Sequence, residues 1–219
     1  MDLFMRGKSP AFRIWIVFLT FAAGFVNVAA MRRFASNISH HTGNMSKIAF
    51  FISERNFGPL ADLLIAVICF FTGAFVSGLM FYQRKFALKK RYGIFLMSFS
   101  LCFLAISFFY IPKKFQIAIL AFILGMQNGM FIYYGDVIVR TTHITGYLTD
   151  AAFSLGMAVR GDKTKIPIAF FYLINIAAFL TGGIFSGVME KTYIFPLCAC
   201  MYFSAGLYYF ILRKTTLHR

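Results

Sequence analysis

Long apolar runs are the feature that most constrains what this chain can fold into. Six of them, each about twenty residues long, recur along the sequence. A run of this length is what an α-helix needs to cross the hydrocarbon core of a bilayer. The predicted spans cover residues 14–31, 60–82, 94–110, 115–134, 167–188 and 193–212. The sequence therefore predicts an all-α integral membrane protein with six transmembrane helices.

The amount and placement of charge agree with this prediction. Only 13% of residues are charged, against roughly 25% in a soluble domain, and 60% are hydrophobic. The net charge of +15 is typical of a nucleic-acid-binding protein, but here Lys and Arg cluster at the ends of apolar runs, as in residues 84–91. We expect membrane lipid as a partner, no nucleic acid, and one membrane domain over residues 1–219.

The order of long and short segments repeats. Residues 44–55 and 144–159 are too short and mixed to be normal spans, and each follows a long apolar run. Residues 71–78 and 180–187 are identical at four of eight positions, including a Thr-Gly and a Ser-Gly pair. Each half reads as span, short segment, span, span. This order predicts an internal repeat with halves at about 11–111 and 112–212.

The basic residues predict the orientation. With six spans and a cytoplasmic N-terminus, fifteen of the 22 Lys and Arg lie inside, including residues 84–91. Eight spans would place residues 84–91 outside. Three spans per half is an odd number, so the two halves are expected to be inverted relative to each other. We predict a bacterial inner-membrane protein with both termini in the cytoplasm.

The short segments have two interpretations. In the first, each is re-entrant: the chain dips into the membrane and returns as a half-helix capped by Thr42 or Thr145, with Gly43 and Gly146 allowing close backbone approach. Helix N-termini at that depth favour an anion or a carbonyl-bearing solute. In the second, each is an amphipathic helix lying in the interface, since its apolar residues recur at helical spacing. The sequence leaves both open.

Polar residues in or beside the spans are candidates for a binding site. A buried amide is costly in a membrane unless it finds a partner, so it marks either a solute site or contact between helices. Arg140, on the cytoplasmic approach, can draw an anion inward. The candidate substrate-binding residues are Asn27, Thr42, Gly43, Asn44, Gln127, Asn128, Arg140, Thr145 and Gly146.

Several motifs among these residues carry a resemblance to a known family. They are Gly24-x-x-Asn27, Ser39-x-x-Thr42-Gly43-Asn44, Gly125-x-Gln127-Asn128 and Arg140-Thr141-Thr142-x-x-Thr145-Gly146. Over nearly its whole length the chain resembles the YoaK-like family of small bacterial membrane proteins. The resemblance implies a membrane fold and a bacterial origin, and no activity. Many members carry Asp where this chain has Asn27, a departure that speaks against proton coupling there.

Two functions from different classes fit these observations. The first is a transporter or channel for a small neutral or anionic solute, because the candidate lining holds hydroxyl, amide and backbone N–H groups and no acid. The second is a non-transporting scaffold or partner-binding subunit. No catalytic arrangement or phosphate loop stands out, so we expect no enzyme, cofactor or metal site. A homo-oligomer is compatible with either function.

Overall fold

The computed structural model describes residues 10–81, 87–130, 133–134 and 137–217. The predicted basic N-terminus over residues 1–9 and residues 84–86 of the basic run lie outside the described residues. Within the described residues the chain forms eight α-helices and one short β ladder. The helices are α1 (Pro10–Phe34), α2 (His41–Ser53), α3 (Leu60–Phe81), α4 (Arg91–Phe108), α5 (Lys113–Gly129), α6 (Ile144–Val159), α7 (Ile166–Val188) and α8 (Ile194–Leu217).

The long helices coincide with the predicted spans. Five of them, α1, α3, α4, α7 and α8, are long and apolar enough to cross a membrane, judged over the residues that the structure describes. The fourth predicted span corresponds to α5, which has 17 residues. The short segments are helices as well, and α6 has the bounds predicted for it, whereas α2 begins three residues earlier than expected.

The fourth span ends earlier than the apolar run does. It was predicted to reach residue 134, but α5 ends at Gly129. Beyond it, β1 (Tyr133–Tyr134) and β2 (Val137–Ile138) pair as a two-residue antiparallel ladder. Glycine is a poor helix former, and aromatic and β-branched residues such as these favour strands. The all-α prediction therefore misses this ladder.

Apolar side chains cover the outside of the bundle. On α3 the exposed large side chains recur every three or four residues and form one stripe along the helix: Leu64, Ile68, Phe71, Phe75 and Leu79. Water does not favour such a continuous apolar face, whereas lipid tails do. Together with the five long apolar helices, this surface indicates a membrane protein built almost entirely of α-helices.

The long helices pack in pairs that join the two halves of the sequence. α1 packs along α7, α3 along α5, and α4 along α8. Helices at corresponding positions of the two predicted halves therefore have corresponding partners. The short helices follow the same rule, because α2 contacts α3 and α6 contacts α7.

A fully buried aromatic cluster lies between α1, α4 and α8. Trp15 is fully buried, and its ring lies 4.9 Å from that of Tyr209 and 6.4 Å from that of Tyr92. The indole N–H donates to the carbonyl of Ala205 at 3.0 Å, so its polar atom is satisfied inside the core. Pairing and burial together hold α1 at the centre of the bundle, where its polar residues meet the site described next.

Candidate functional site

The chain turns back along α1 as soon as that helix ends. The Ser39 hydroxyl donates to Oδ1 of Asn27 at 2.8 Å. Asn27 lies about two turns before the end of α1 at Phe34, which corresponds to roughly 10 Å along the helix axis. The segment from residue 35 to residue 40 therefore runs back alongside α1. As a result, α2 starts at a level before the C-terminal end of α1.

Two histidines at the start of α2 show how far the chain returns. The His40 ring lies 5.8 Å from that of Phe179, and the His41 ring lies 4.2 Å from that of Phe70. Phe179 is near the midpoint of α7 and Phe70 is near the midpoint of α3. α2 therefore begins at the level of the middle of two long helices, and its 13 residues rise roughly 20 Å from there.

The second half contains a corresponding cluster at the end of α5. Oδ1 of Asn128 accepts a hydrogen bond from the backbone N–H of Thr142 at 3.2 Å. As Asn27 does for Ser39, Asn128 holds the segment that leads into a short helix. In both halves an asparagine near the C-terminal end of the first long helix thus positions the Thr-Gly motif.

Gln127 makes hydrogen bonds to two other helices and to the segment before α6. Its amide Nε2 donates to the Leu19 carbonyl and to the Thr141 hydroxyl, both at 3.0 Å. The Tyr202 hydroxyl donates to its Oε1. Because every polar atom of this buried side chain has a protein partner, the structure supports contact between helices as its role. Tyr202 was not among the predicted residues, since a tyrosine in an apolar run forms no recognisable pattern.

The start of each short helix differs from the prediction. Thr42 and Thr145 were predicted to be N-caps, but the N-cap residues are His40 and His143, and neither cap makes a side-chain hydrogen bond. The two histidines have nearly the same backbone angles, with φ of −96° and −91° and ψ of 69° and 62°. The helices begin one residue before each threonine, so both threonines are the second residue of a helix and their side chains are exposed.

The glycines that follow the threonines were predicted to permit close backbone approach, and this is wrong for Gly43. A Cβ at Gly43 would meet nothing within 4 Å. At Gly146 the neighbour is the ring of His143, the N-cap of the same helix, which a Cβ would overlap. The ring of the N-cap histidine lies over the first turn of α6, and the absence of a side chain at Gly146 leaves room for that ring.

Unpartnered polar atoms lie on one face of α2. Asn44 is 0% exposed, and its Nδ2 donates to the Asn37 carbonyl at 2.8 Å. Its Oδ1 is buried with no hydrogen-bond partner among the described residues, and the same holds for both ring nitrogens of His41. His41 and Asn44 are three residues apart on a helix, so they share a face. Buried polar atoms of this kind are rare and mark a place for a water or a ligand.

Burial keeps the histidines of the motifs neutral. Desolvation, with a smaller contribution from the nearby His40, lowers the pKa of His41 to about 4, and the Ile38 backbone opposes the shift. Burial also lowers the pKa values of His40 and His143. At neutral pH these rings therefore carry no charge and offer one donor and one acceptor each.

Arg140 lies in a cluster of tyrosines. Its backbone N–H donates to the Tyr147 hydroxyl at 2.9 Å, and the N–H of Ile138 donates to the Tyr172 hydroxyl at 3.1 Å. The carboxylate of Asp150 interacts with the Tyr172 hydroxyl. The cluster attaches the segment after β2 to α6 and α7, a structural role that explains why the segment stays in place without being helical.

The predicted site residues thus form two clusters. Asn27 and Asn44 belong to the first, with Ser39 and the two histidines, whereas Gln127 and Asn128 belong to the second. Within the described part of the chain, no hydrogen bond or ring contact joins the clusters, and no group of three His, Cys, Asp or Glu side chains could hold a metal ion. The predicted convergence of both motifs on one solute stays a prediction.

Comparison with known proteins identifies the family and nothing finer. No curated protein and no solved structure matches the chain significantly. A family model described as "Protein of unknown function (DUF1275)" matches residues 15–212, which is most of the chain and includes both Thr-Gly motifs. The chain therefore belongs to the DUF1275 family of proteins of unknown function.

Proposed function

We propose that this protein is a transporter or channel for a small neutral or anionic solute in the inner membrane of a bacterium. The observation that carries the proposal is the start of α2 at the midpoints of α3 and α7, where His40 and His41 contact Phe179 and Phe70. A helix that begins at mid-depth and does not cross is re-entrant. Such backbone is tolerated in a bilayer where protein or a water-filled cavity surrounds it.

The helix pairing supports an inverted repeat. α1 pairs with α7 as α5 pairs with α3, and the third helices of the two halves pair with each other. A two-fold axis that relates the two halves would produce this pattern of helix pairs. With α5 counted as a span, at the lower limit of about 17 residues, each half has three spans and the halves have opposite orientations. Many transporters place their solute between such repeats.

The chemistry of the mid-depth groups defines the class of solute. The Oδ1 of Asn44 and the ring nitrogens of His41 are available for hydrogen bonds. The residues of both Thr-Gly motifs include no carboxylate. Cations that prefer oxygen ligands are bound through carboxylates, so a neutral or anionic solute fits better. The YoaK-like resemblance agrees with a membrane role and adds no solute.

Cysteine labelling tests for a water-filled pathway. In a background without Cys69, Cys102, Cys198 and Cys200, the variants Thr42→Cys and Thr145→Cys are exposed to a charged, membrane-impermeant thiol reagent. The matched controls are Phe71→Cys and Leu180→Cys, which neighbour the mid-depth phenylalanines and are themselves exposed at the protein surface. We expect labelling at the threonine positions and protection at the controls, because the controls face lipid.

A flux assay tests transport directly. Proteoliposomes are subjected to osmotic gradients of glycerol, urea, formate or acetate, and their volume is followed by stopped-flow light scattering. We expect the Thr42→Val/Thr145→Val double variant to abolish the flux that the wild type shows. Folding stays intact, because neither threonine caps its helix with its side chain. Full protection of both cysteines, with no flux of any solute, would instead support a packed scaffold.

A further inference from the structure

A groove of about 520 Å³ lies at one end of the bundle, and no residue of either Thr-Gly motif lines it. It is bounded by the segment after α1, by the second half of α2, and by the starts of α3 and α5. We call it the Lys47 groove; the lining residues that matter here are Ser36, Lys47, Phe51, Asp62 and Lys113. Its walls combine two ammonium groups and one carboxylate with aromatic and aliphatic side chains.

The charges in the groove do not cancel. The Lys113 ammonium lies 2.7 Å from the Asp62 carboxylate, which joins the start of α5 to the start of α3. Lys47 forms no ion pair with any residue that the structure describes, and Asp62 is the only acid in the groove lining. One ammonium is therefore left without a counter-charge, beside the apolar wall formed by Phe51.

Ser36, which lines the same groove, carries a buried hydroxyl. Ser36 is 5% exposed, and its Oγ has no hydrogen-bond partner within the described ranges. Leaving such a group unpaired costs roughly 1–3 kcal/mol, so a buried hydroxyl without a partner inside the protein indicates that something else supplies one. A hydroxyl donor and an uncompensated ammonium are groups that bind an anionic oxygen.

We propose that the Lys47 groove binds a small anionic group, a carboxylate or a phosphate, through the Lys47 ammonium and the Ser36 hydroxyl. A single uncompensated positive charge suits a monoanion. The anion belongs either to a free solute or to the headgroup of an anionic lipid. This site is independent of the proposed function, since an anion can bind here whether or not any solute crosses the membrane.

Binding to the purified full-length chain in a neutral detergent tests the proposal. Sodium acetate and sodium phosphate are titrated at constant ionic strength, with chloride as the replaced anion, and the dissociation constant is measured by calorimetry. We expect saturable binding of one anion per chain. Lys47→Gln should weaken it by at least about tenfold, because it removes a charged hydrogen bond, and Lys47→Arg should retain most of it.

Two controls make the result specific. Lys114→Gln removes the same charge from an exposed lysine beside Lys113 that does not line the groove, and it should leave binding unchanged. Ser36→Ala should weaken binding without lowering the unfolding temperature measured in the absence of anion, because the lost hydroxyl has no partner in the protein. The unfolding temperature of each variant shows whether it is folded.

A lipid arm distinguishes the two sources of the anion. Native mass spectrometry counts the lipids retained by the protein from mixtures of phosphatidylglycerol and phosphatidylcholine. Retention of one phosphatidylglycerol by the wild type and its loss in Lys47→Gln, with no binding of acetate or phosphate, identifies a headgroup site. Failure of the wild type to bind any of these anions overturns the proposal. Equal weakening by Lys114→Gln and Lys47→Gln overturns it too.

Discussion

Gly24 in α1 packs directly against the backbone carbonyl of Phe179 in α7, so that a Cβ at Gly24 would overlap the carbonyl oxygen. In the other half, Gly125 in α5 meets the carbonyl of Phe70 in α3 in the same way. Small residues permit this close approach of two backbones, which is a common means of packing helices in membranes. The same two phenylalanines contact the histidines at the start of α2, so this packing also sets the position of the candidate site.

Replacing either glycine by alanine should destabilise the protein. Gly24→Ala and Gly125→Ala force apart backbones that cannot move independently, and overpacking of this kind costs about 1–3 kcal/mol or more. The measurement is the unfolding temperature in detergent. Gly43→Ala is the matched control: nothing lies within 4 Å of its Cβ, and alanine favours a helix by roughly 0.5–1 kcal/mol. A destabilised Gly43→Ala with an unchanged Gly24→Ala would contradict the packing described here.

Asn27 should tolerate aspartate better than leucine. The Asn27 side chain is 2% exposed and accepts a hydrogen bond from the Ser39 hydroxyl. An aspartate at this position keeps an acceptor oxygen for that hydroxyl. Leucine leaves the Ser39 hydroxyl without its partner, at a cost of about 1–3 kcal/mol. The free energies of unfolding of the wild type, Asn27→Leu, Ser39→Ala and the Asn27→Leu/Ser39→Ala double variant give the coupling energy, and Asn27→Asp is measured beside them. Additive losses would show that the two side chains do not interact.

The orientation of the chain can be read with reporter fusions. Fusions after Leu88 and after Leu217 should both report a cytoplasmic location, because fifteen of the 22 basic residues then lie inside. A fusion after Tyr110, in the connection between α4 and α5, should report the opposite side of the membrane. A periplasmic signal after Leu88 would refute the six-span arrangement.

Acidification should destabilise the folded protein. The pKa of His41 in the folded state is about 4, below the value of 6.5 for a free histidine. Between these values the unfolded chain binds more protons than the folded one, so stability is fully present above about pH 6.5 and declines as the pH falls towards 4. Unfolding temperatures at pH 7.5 and pH 5 measure this loss. His41→Phe, which can still pack on Phe70, should show a smaller loss than the wild type.

The long helices were predictable from the sequence, because a helix that crosses lipid needs a continuous apolar run, and such runs are visible in the sequence. It predicted less of the site. The early end of α5 depends on a two-residue ladder, and such a short pairing has almost no sequence signal. The caps were assigned to Thr42 and Thr145 from residue preference alone. At these two helices the conformation of the preceding segment determines where the helix begins, and a histidine is the N-cap residue. The partners of Gln127 come from three distant parts of the chain, which local patterns cannot reveal.

The pairing of helices between the halves has a consequence for biosynthesis. α1 leaves the ribosome early, but its main partner, α7, is made more than a hundred residues later, after every helix except α8. At about 5–20 residues per second, α1 waits on the order of ten seconds for that partner. Its inward face carries Thr20, whose hydroxyl donates to the Asn175 side chain of α7. Until α7 is made this contact cannot form, so the inward face of α1 meets lipid or the insertion machinery instead.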